Sequence, residues 1–516
     1  MEMRALVAVV LSLVVLLGFQ YFMSRSTPPA PPVPQGSAPV PQEQRPAPQE
    51  AQPQAGLKGE GAPLTGSVPE RTVKIDTPLY SAELSSRGGV ITRWVLKNYT
   101  DKSGAPISLL KSTPVVNPLA IGRDTEFTLQ NAVFTIIGSD LDLKDNHQGT
   151  VVLRYASADI IVKRTMIFRA DSYLVEITDE VSKAGDYWVT LGGDFGITTA
   201  AGAISHDGPV YLEGANREEF QTGKIKEPVQ VVPKDLKWIA SEDNYFFSAL
   251  VPSSNPEEVK IWSRQEKGMI AFRLKAGVNT YKLFAGPKDI DQLKPLKLDL
   301  EHIVDFGFFS ILARPLFWML KFINAYVGNY GWSIIVLTIL LRIPFIPLLN
   351  KGQKSMRKLQ ELQPKMTEIR EKFKKDPQRM QREMMELYRK YKVNPMGGCF
   401  PMLLQIPFFF ALYKVLMVAI ELRDAPWMFW IKDLSAKDPI YVLPILMGIT
   451  MVVQQKMTPT SADPTQQKIM MIMPVIFTFM FLNFSSGLVL YWLMGNILSI
   501  IQQIFVNRSM AREAEA

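Results

Sequence analysis

Long apolar runs alternate with polar segments along much of the chain. Six runs are close to the length that crosses a bilayer: residues 5–23, 331–350, 398–420, 441–457, 469–484 and 487–506. About 20 residues of α-helix, at about 1.5 Å per residue, span the hydrocarbon core of a membrane. The pattern therefore predicts a multi-pass α-helical membrane protein with six transmembrane helices.

A second pattern, of short β-rich runs, occupies residues 71–300. The runs VVLRYA, IIVKRTMIF, SYLVEITDEV, YWVTLGG and EVKIWSR are separated by Gly, Asp, Asn and Pro, which favour turns. This texture predicts a large all-β sandwich domain. Because no acidic pair or histidine cluster stands out within it, we interpret the domain as a binding or spacer module.

The N-terminal segments have simpler compositions. Residues 1–26 hold the first apolar run, which is followed by SRSTPPAPP with no small-x-small cleavage motif. We therefore predict an uncleaved signal anchor, with a cleaved signal peptide as the alternative. Residues 27–70 are dominated by Pro, Ala, Gln and Gly and cannot bury a core, which predicts a disordered tether.

Residues 301–328 are apolar and aromatic but are interrupted by Arg314, Lys321 and Asn324. The apolar positions recur at helical spacing, which predicts an amphipathic helix lying in the membrane interface. A further transmembrane span is the competing interpretation.

A two-helix hairpin is predicted over residues 351–394. Apolar positions recur at steps of three and four from 359 to 373 and again from 380 to 391, and KKDP between the two runs supplies a cap and a first-turn proline. Pro364 lies inside the first run and predicts a kink or a late helix start there.

Basic residues outnumber acidic ones in this hairpin, so the positive-inside rule places it in the cytoplasm. Counting spans from the hairpin puts both termini in the cytoplasm, and it puts the β domain and the loop at 421–439 outside. A more specific interpretation of the basic residues of the hairpin is that they contact ribosomal phosphates or anionic lipids.

Composition and the absence of known motifs limit the classes of function that the sequence supports. The chain has 516 residues, is 47% hydrophobic and carries a net charge of +8. Cys399 is its one cysteine, and His147, His206 and His302 lie far apart, so the sequence predicts neither a disulfide framework nor a metal site. We find no phosphate-binding glycine loop, no HExxH and no nucleophile elbow in it. These observations argue against an enzyme and predict no cofactor.

One charged residue within an apolar run dominates the functional interpretation. Arg342 lies in the second half of the 331–350 run, about 12 Å of helix before the basic segment that begins at Lys351. A guanidinium at bilayer depth costs between about 2.5 and about 17 kcal/mol, depending on its access to water. Thr338 lies one turn earlier on the same face. We interpret these residues as lining a water-accessible cavity; an Arg that snorkels to the headgroups is the alternative.

Other polar residues interrupt the later spans. Gln405 lies within the 398–420 run, and four polar or amphipathic positions form one stripe of the last span, namely Trp492, Asn496, Ser499 and Gln503. Intramembrane amides frequently do no more than join helices, at about 1 kcal/mol each. In combination with Arg342 they favour a shared cavity.

Three long segments match a known family: NPMGGCFPMLLQIPFFFALYKVL, ELRDAPWMFWIKDLSAKDPIYVLPILMG and QQKIMMIMPVIFTFMFLNFSSGLVLYWL. They closely resemble the YidC/Oxa/Alb family of membrane protein insertases. The leading anchor, tether and β domain are similar to the Gram-negative form of that family, which has a large periplasmic domain. The resemblance covers essentially the whole chain and is strongest from Asp305 to Gln503.

The resemblance implies that five spans form an insertase core over residues 329–506. In that core a hydrophilic groove opens to cytoplasm and lipid and is closed toward the periplasm. The family's groove arginine and threonine match Arg342 and Thr338, and its aromatic pair matches Tyr491 and Trp492. The second aromatic position is commonly Tyr, so a role that requires its hydroxyl is not implied here. We therefore predict a substrate groove lined by Arg342, Thr338, Gln405, Tyr491, Trp492 and Asn496.

The resemblance also implies that the cytoplasmic hairpin receives substrates. We predict contacts through Met366, Met380, Met384 and Met385, because methionine presents an adaptable apolar surface. The β domain resembles the periplasmic domain associated with accessory proteins of the Sec translocon. Relatives with long basic tails use them to bind ribosomes. The short tail at 507–516 weakens that expectation and leaves the basic cytoplasmic loops as the candidate ribosome contact.

The function predicted from the sequence is that of an insertase and chaperone of the bacterial inner membrane, without chemical turnover. It would integrate nascent membrane proteins, alone or with the Sec translocon, in contact with membrane lipids. A secondary transporter or channel is the main alternative, since it would also bury polar residues, but the chain shows no internal repeat. A membrane enzyme acting on lipid or peptidoglycan precursors is the second alternative, and it lacks a convergent acid–base or nucleophile set.

Overall fold

The protein is described here by a computed structural model. It describes residues 69–101, 103–110, 114–144, 147–198, 206–391, 393, 400–457 and 464–515, of which 400–405, 464–470, 510–511 and 513–515 are described by their backbone only. The predicted signal anchor and nearly all of the predicted tether lie outside the described residues.

The first part of the described chain is built from β-strands. They are β1 (Thr72–Asp76), β2 (Tyr80–Ser85), β3 (Val90–Thr100), β4 (Pro106–Ser108), β5 (Ile121–Gly122), β6 (Thr135–Ile137), β7 (Leu141–Asp142), β8 (Gln148–Ala156), β9 (Ile161–Arg169), β10 (Leu174–Thr190), β11 (Gly208–Glu213), β12 (Asn216–Glu219), β13 (Val229–Val231), β14 (Leu236–Glu242), β15 (Phe246–Pro252), β16 (Glu258–Arg264) and β17 (Lys267–Pro287).

These strands form two sheets that share one core. The smaller sheet has the order β4-β3-β2-β1-β7, and the larger has the order β12-β11-β14-β15-β17-β10-β9-β8-β6, with β16 on β17, β13 on β16 and β5 on β10. Along β9 every second side chain is buried, as expected for a strand with one face on a core. Tyr80 and Trp94 of the smaller sheet stack in that core with ring centroids 4.1 Å apart. The predicted all-β sandwich is confirmed.

Two of the predicted β runs belong to one strand. SYLVEITDEV and YWVTLGG both lie largely on β10, which pairs with β17 on either side of an irregularity between Val181 and Asp186. Val181 pairs with Gly277 and Asp186 with Lys275, so four residues of β10 oppose one residue of β17. The SKAG segment therefore bulges out of the ladder instead of reversing the chain.

A fully buried ion pair joins the two sheets. Arg164 on β9 donates from Nε and Nη2 to the carboxylate of Asp179 on β10, at 2.7 and 2.9 Å, and the hydroxyl of Tyr281 donates to the same carboxylate at 2.7 Å. The remaining guanidinium nitrogen donates to the carbonyls of Leu119 at 2.6 Å and Gly89 at 3.3 Å. Since Gly89 precedes β3, the charge ties the smaller sheet to the larger one.

Most of the described chain after β17 is helical. The α-helices are α1 (Ile290–Leu293), α2 (Ser310–Val327), α3 (Tyr330–Arg342), α4 (Ile346–Glu361), α5 (Gln363–Lys372), α6 (Pro377–Lys390), α7 (Phe400–Val418), α8 (Val442–Met457), α9 (Pro464–Phe481) and α10 (Ser486–Glu515).

Within the described residues, three helical stretches are long and apolar enough to cross a membrane. They are Gly307–Val327, Tyr330–Glu361 and Ser486–Ser509, and shorter apolar helices occupy Ile406–Val418, Val442–Met457 and Met471–Phe481. The first stretch contains α2, whose assignment to the membrane interface stays a prediction. The third belongs to α10, which continues as a helix beyond the predicted end of the last span at residue 506.

Two prolines shape the chain immediately after Arg342. Helix α3 ends at Arg342, Pro344 lies in a single 3₁₀ turn, and Pro347 lies in the first turn of α4. Proline has no N–H to donate and cannot continue the helical ladder without interrupting it. The arginine side chain therefore projects from the end of a helix, next to the break that the prolines introduce.

The hairpin predicted from the sequence is present in α4, α5 and α6. The first arm breaks at Leu362, beside Pro364, and the carboxylate of Asp376 caps α6 by accepting from the backbone N–H of Arg379 at 3.1 Å. The buried residues Leu359, Leu362 and Met366 form its small core, with Met384 and Leu387 packed against them.

The loop between α7 and α8 closes the end of the helical bundle opposite the hairpin. The carbonyl of Leu434 accepts from the N–H of Gly487 at 2.9 Å, and the carbonyl of Pro426 accepts from the side-chain amide of Asn329 at 3.0 Å. A Cβ added at Gly331 would lie 2.1 Å from the Trp427 ring, so the loop sits directly on the start of α3. Glycine at 331 is therefore needed for this close approach.

We expect Asp179→Asn to weaken the β domain strongly. The substitution leaves the buried Arg164 without its counter-ion, which costs ~3–5 kcal/mol. Hydrogen exchange of β9 and β10 amides in the detergent-solubilised full chain measures the free energy of opening. The matched control is Glu180→Gln, because Glu180 forms an exposed pair with Lys163 and should lose at most ~1 kcal/mol. Equal effects of the two substitutions would contradict the role given to the buried pair.

Candidate polar cavity around Arg342

The half-buried guanidinium of Arg342 is bound by three groups of a single helix. Its Nη1 donates to the backbone carbonyl of Gly495 at 2.9 Å, and its Nη2 donates to the hydroxyl of Ser499 at 2.6 Å. Its Nε and Nη2 also approach the Oε1 atom of Gln502, each at 3.4 Å. Positions 495, 499 and 502 are four and three residues apart, so they share the face of α10 that meets α3.

Gln502 extends this network toward α4. Its amide nitrogen donates to Oδ1 of Asn350 at 2.7 Å and lies 3.5 Å from the carbonyl of Ile346. Arg342, Ile346 and Asn350 are four residues apart along α3 and α4. The side chain of Gln502 therefore connects Arg342 to two groups of α4, the carbonyl of Ile346 and the side-chain amide of Asn350.

A cavity of about 500 Å³ opens beside this network, between α3–α4 and α10. Its polar lining consists of Arg342, Asn350, Lys354, Gln502 and Ser509. Its apolar lining consists of Ile339, Ile343, Ile346, Leu498, Ile501, Phe505 and Val506. Two of these residues are cations and none is an acid, so the cavity is suited to an anionic or hydrogen-bond-accepting group that has an apolar neighbour.

The predicted polar stripe of the last span is divided between two neighbours. Ser499 binds Arg342, whereas the amide of Asn496 donates to the carbonyl of Met447 at 3.3 Å and to the hydroxyl of Thr450 at 3.2 Å. The amide of Gln503 likewise donates to the carbonyl of Met457. Asn496 and Gln503 are both buried and join α10 to α8, away from the cavity.

Trp492 packs in an aromatic cluster. Its ring centroid lies 4.9 Å from that of Phe409 on α7, and 6.0 and 5.3 Å from those of Phe477 and Phe481 on α9. Tyr491 beside it is 6% exposed. Neither aromatic residue is among those that line the cavity.

Thr338 does not line the cavity either. Thr338 is buried, and its hydroxyl donates to the carbonyl of Ile334 in its own helix at 2.6 Å. Gln405 belongs to the part of α7 that is described by its backbone only. Of the five predicted groove residues whose side chains are described, the structure places Arg342 at the cavity.

Asn350, Lys354, Gln502 and Ser509 were not predicted from the sequence. The steps of four and three that link Gly495, Ser499 and Gln502 were available as a signal. They were obscured because Ser499 also fits the neighbouring stripe through Asn496.

The hairpin methionines differ in their exposure. Met366 is buried in the hairpin core, where the Tyr388 hydroxyl approaches its sulfur at 4.0 Å. Met380 and Met384 are half-buried, and Met385 is 46% exposed. Met385 is therefore the most accessible of the four predicted contact residues.

The β domain contacts the loop that closes the bundle. Arg423 donates to the carbonyl of Thr100 at 2.6 Å, and its guanidinium lies 5.2 Å from the ring centroid of Phe246. Next to it in the sequence, burial raises the pKa of the Glu421 carboxyl, while Lys321 at 3.2 Å opposes that shift. Arg423 therefore joins the loop to the β domain, whereas the pair of Glu421 and Lys321 joins the loop to α2.

A charged cluster lies within the β domain near β12 and β14. Arg217 contacts both Glu219 and Glu242, and Lys288 lies 2.6 Å from Glu242. Burial by itself would raise the pKa of Glu219, but the Arg217 guanidinium holds this pKa at about 2. Burial lowers the pKa of His206, which faces both glutamates. The cluster thus keeps the Glu219 carboxylate ionised at neutral pH.

One group in the described chain has the composition of a metal site. Ligand atoms of Asp299, Glu301 and His302 lie within 4.8 Å of one another. Asp299 is exposed, and exposed acidic groups of this kind are common without a metal ion. The sequence predicted no metal site, and this group alone does not change that prediction.

The fold and the cavity define a class of protein. It is a helical membrane protein with a half-buried cation at an open cavity, an amphipathic hairpin at one end and a β sandwich at the other. Residues 72–319 match the YidC periplasmic domain model, and residues 322–513 match the model of the 60Kd inner membrane protein family.

The relatives most similar in sequence that we describe are both membrane protein insertases. The chain is 40% identical to the membrane protein insertase YidC of Syntrophus aciditrophicus over 98% of this chain and 100% of that protein, and 39% identical to that of Geotalea daltonii over 99% and 100%. A crystal structure of an active YidC insertase covers 83% of this chain and 91% of that one, with 19% identity and a TM-score of 0.38.

The chain belongs to the YidC family of membrane protein insertases. It is an insertase of the inner membrane, with its β domain in the periplasm and nascent membrane proteins as substrates. The insertase function predicted from the sequence is confirmed, and the transporter and enzyme alternatives are set aside.

The hydrogen bond between Asn496 and Thr450 should contribute a measurable coupling energy between α10 and α8. We expect Asn496→Leu and Thr450→Val each to lower thermal stability in detergent, and a double-mutant cycle to yield ~0.6–1.7 kcal/mol. Strictly additive effects would show that the two side chains do not depend on each other. Ser499→Ala, which faces α3 instead, should show no coupling to Thr450→Val.

Proposed function

We propose that the cavity around Arg342 receives the hydrophilic flank of a membrane protein during its insertion. The observation that carries this proposal is a half-buried guanidinium bound only by uncharged groups in the described part of the chain. A buried arginine with a fixed structural role is normally paired with a carboxylate, as Arg164 is with Asp179. The missing counter-ion is supplied, in this proposal, by the substrate.

The sequence of events begins at the hairpin. The hairpin carries exposed Met385 and many basic residues, so it suits first contact with an apolar segment that has acidic neighbours. The flank then enters the cavity, where Arg342 and Lys354 offset part of the cost of removing it from water. The polar path through the bilayer is thereby shortened.

The apolar segment of the substrate follows a different path. It slides along the exposed apolar faces of α3, α4 and α10 into lipid, where side chains such as Ile343 and Phe505 are already 53% and 67% exposed. Removal of apolar surface from water releases about 25 cal/mol per Å². This burial drives insertion without a nucleotide.

The orientation and partners of the protein belong to the same proposal. The basic hairpin and both termini face the cytoplasm, and the ribosome is contacted through the basic cytoplasmic loops. The protein acts alone or beside the Sec translocon, whose accessory proteins meet the periplasmic β domain. The contact between that domain and the loop at 421–439, through Arg423, supports a domain held in position for such partners.

We expect Arg342→Ala to slow insertion of a substrate whose translocated flank is acidic by about tenfold or more. A tenfold change is equivalent to ~1.4 kcal/mol, between the ~1 kcal/mol of an exposed ion pair and the ~4 kcal/mol of a pair near a protein surface. Arg342→Lys should retain most of the activity, because the charge remains. The measurement is protease protection of the flank in proteoliposomes.

The controls for Arg342 separate charge at the cavity from charge in general. Lys351→Ala removes an exposed cation of the following helix, α4, that does not line the cavity, and it should leave the rate nearly unchanged. A substrate with a neutral flank should be affected less than the acidic one. Undiminished insertion by Arg342→Ala would remove this residue from the mechanism.

The hairpin proposal is tested by site-specific photo-crosslinking to nascent chains. A crosslinker at exposed position 385 should capture an apolar nascent segment, and one at buried position 366 should not. Position 381, which is also exposed, is the control for nonspecific proximity. Equal capture from 381 and 385 would mean that the methionine surface is not preferred.

A further inference from the structure

The cavity around Arg342 combines a cationic side with an apolar wall, and this combination matches an amphiphile. We propose that, when no substrate is present, it binds an anionic phospholipid of the cytoplasmic leaflet, with the lipid phosphate at the guanidinium of Arg342 and the positive charge of Lys354 in the same cavity. The orientation in this inference rests on the proposed function, which places the hairpin in the cytoplasm. The ligand class is a phosphodiester that carries acyl chains.

The binding edge of the guanidinium is weakly occupied. Its Nε and Nη2 atoms, which form the planar fork that grips a phosphate or carboxylate, both point to one neutral oxygen of Gln502 at 3.4 Å. Ordinary N–H···O distances centre on about 2.9–3.0 Å, and those to an anion are shorter still. A phosphate at this edge would replace these two long contacts with two charge-assisted ones, while Nη2 keeps its hydrogen bond to Ser499.

The rest of the polar lining suits a phosphate. Lys354 adds a second positive charge, and Asn350, Gln502 and Ser509 add groups that donate hydrogen bonds. None of the described lining residues is acidic.

The apolar lining favours a lipid over a soluble phosphate. Ile343 and Ile346 on one side are 53% and 41% exposed, and Ile501 and Phe505 on the other are 44% and 67% exposed. Free phosphate would leave this surface uncovered, whereas an acyl chain attached to the phosphate would lie along it. The lipid thereby lowers the cost of holding Arg342 at this depth until a substrate flank replaces it.

The experiment measures binding of phosphatidylglycerol to the delipidated full-length protein in neutral detergent by native mass spectrometry. We expect phosphatidylglycerol to bind more tightly than phosphatidylcholine, and Lys354→Gln to weaken phosphatidylglycerol about fivefold. Lys354→Arg should restore binding because it keeps the charge. Lys351→Gln is the matched control: it removes an exposed cation of the same helix outside the cavity and should change binding less than twofold, roughly, because exposed charges are well screened.

Three results would overturn the inference. Equal weakening by Lys354→Gln and Lys351→Gln would indicate general surface attraction. Equal affinity for phosphatidylcholine would remove the need for an anion. Displacement of the lipid by glycerol phosphate at the same concentration would show that the apolar wall contributes nothing.

The same variants distinguish a failure of the lipid site from a failure of the proposed substrate route. If Arg342→Ala inserted acidic substrates at the normal rate while Lys354→Gln still lost phosphatidylglycerol, the substrate route would be wrong and the lipid site would stand. If Lys354→Gln kept its lipid while Arg342→Ala blocked insertion, the lipid site would be wrong and the substrate route would stand.

Discussion

The charge on Arg342 constrains how the helices around it are arranged. A guanidinium cannot lose its charge in a protein, so at membrane depth it needs acceptors or water. Helix α10 supplies a carbonyl, a hydroxyl and an amide from three positions on one face. Two of those positions are Gly495 and Ser499, whose small side chains leave the helix backbone within reach. The prolines after Arg342 end α3 and let its side chain turn toward these acceptors.

The protein contains two arginines in contrasting surroundings. Arg164 is sealed in the β sandwich against Asp179 and Tyr281, where every donor is matched and the pair holds two sheets together. Arg342 is half-buried, faces an open cavity and is bound by neutral groups in the described chain. The first arrangement costs desolvation and gains rigidity. The second leaves the positive charge of Arg342 without a carboxylate partner in the described chain. It can therefore attract an anionic group, as the proposed entry of a hydrophilic flank requires.

The two ends of the helical bundle are built differently. At the periplasmic end, the loop at 421–441 is pinned to the starts of α3 and α10 and is held from outside by the β domain through Arg423. At the other end, the hairpin has a small core of a few side chains such as Leu359 and Met366, and it exposes Met385. This difference between a closed end and a weakly packed end is what the proposed entry of substrates from the hairpin side requires.

The sequence alone determined the alternating strands, the hairpin seam and the apolar helices that the structure describes, and it singled out Arg342, because each follows from local periodicity or from the cost of a charge in hydrocarbon. Tertiary structure decided the rest. The 3.6-residue period groups Asn496, Ser499 and Gln503 on one stripe, but only packing sends Ser499 to Arg342 and the two amides to α8. It also placed Trp492 among phenylalanines and recruited Gln502. A helix sequence specifies which residues share a face, whereas the neighbours of that face depend on how all the helices pack.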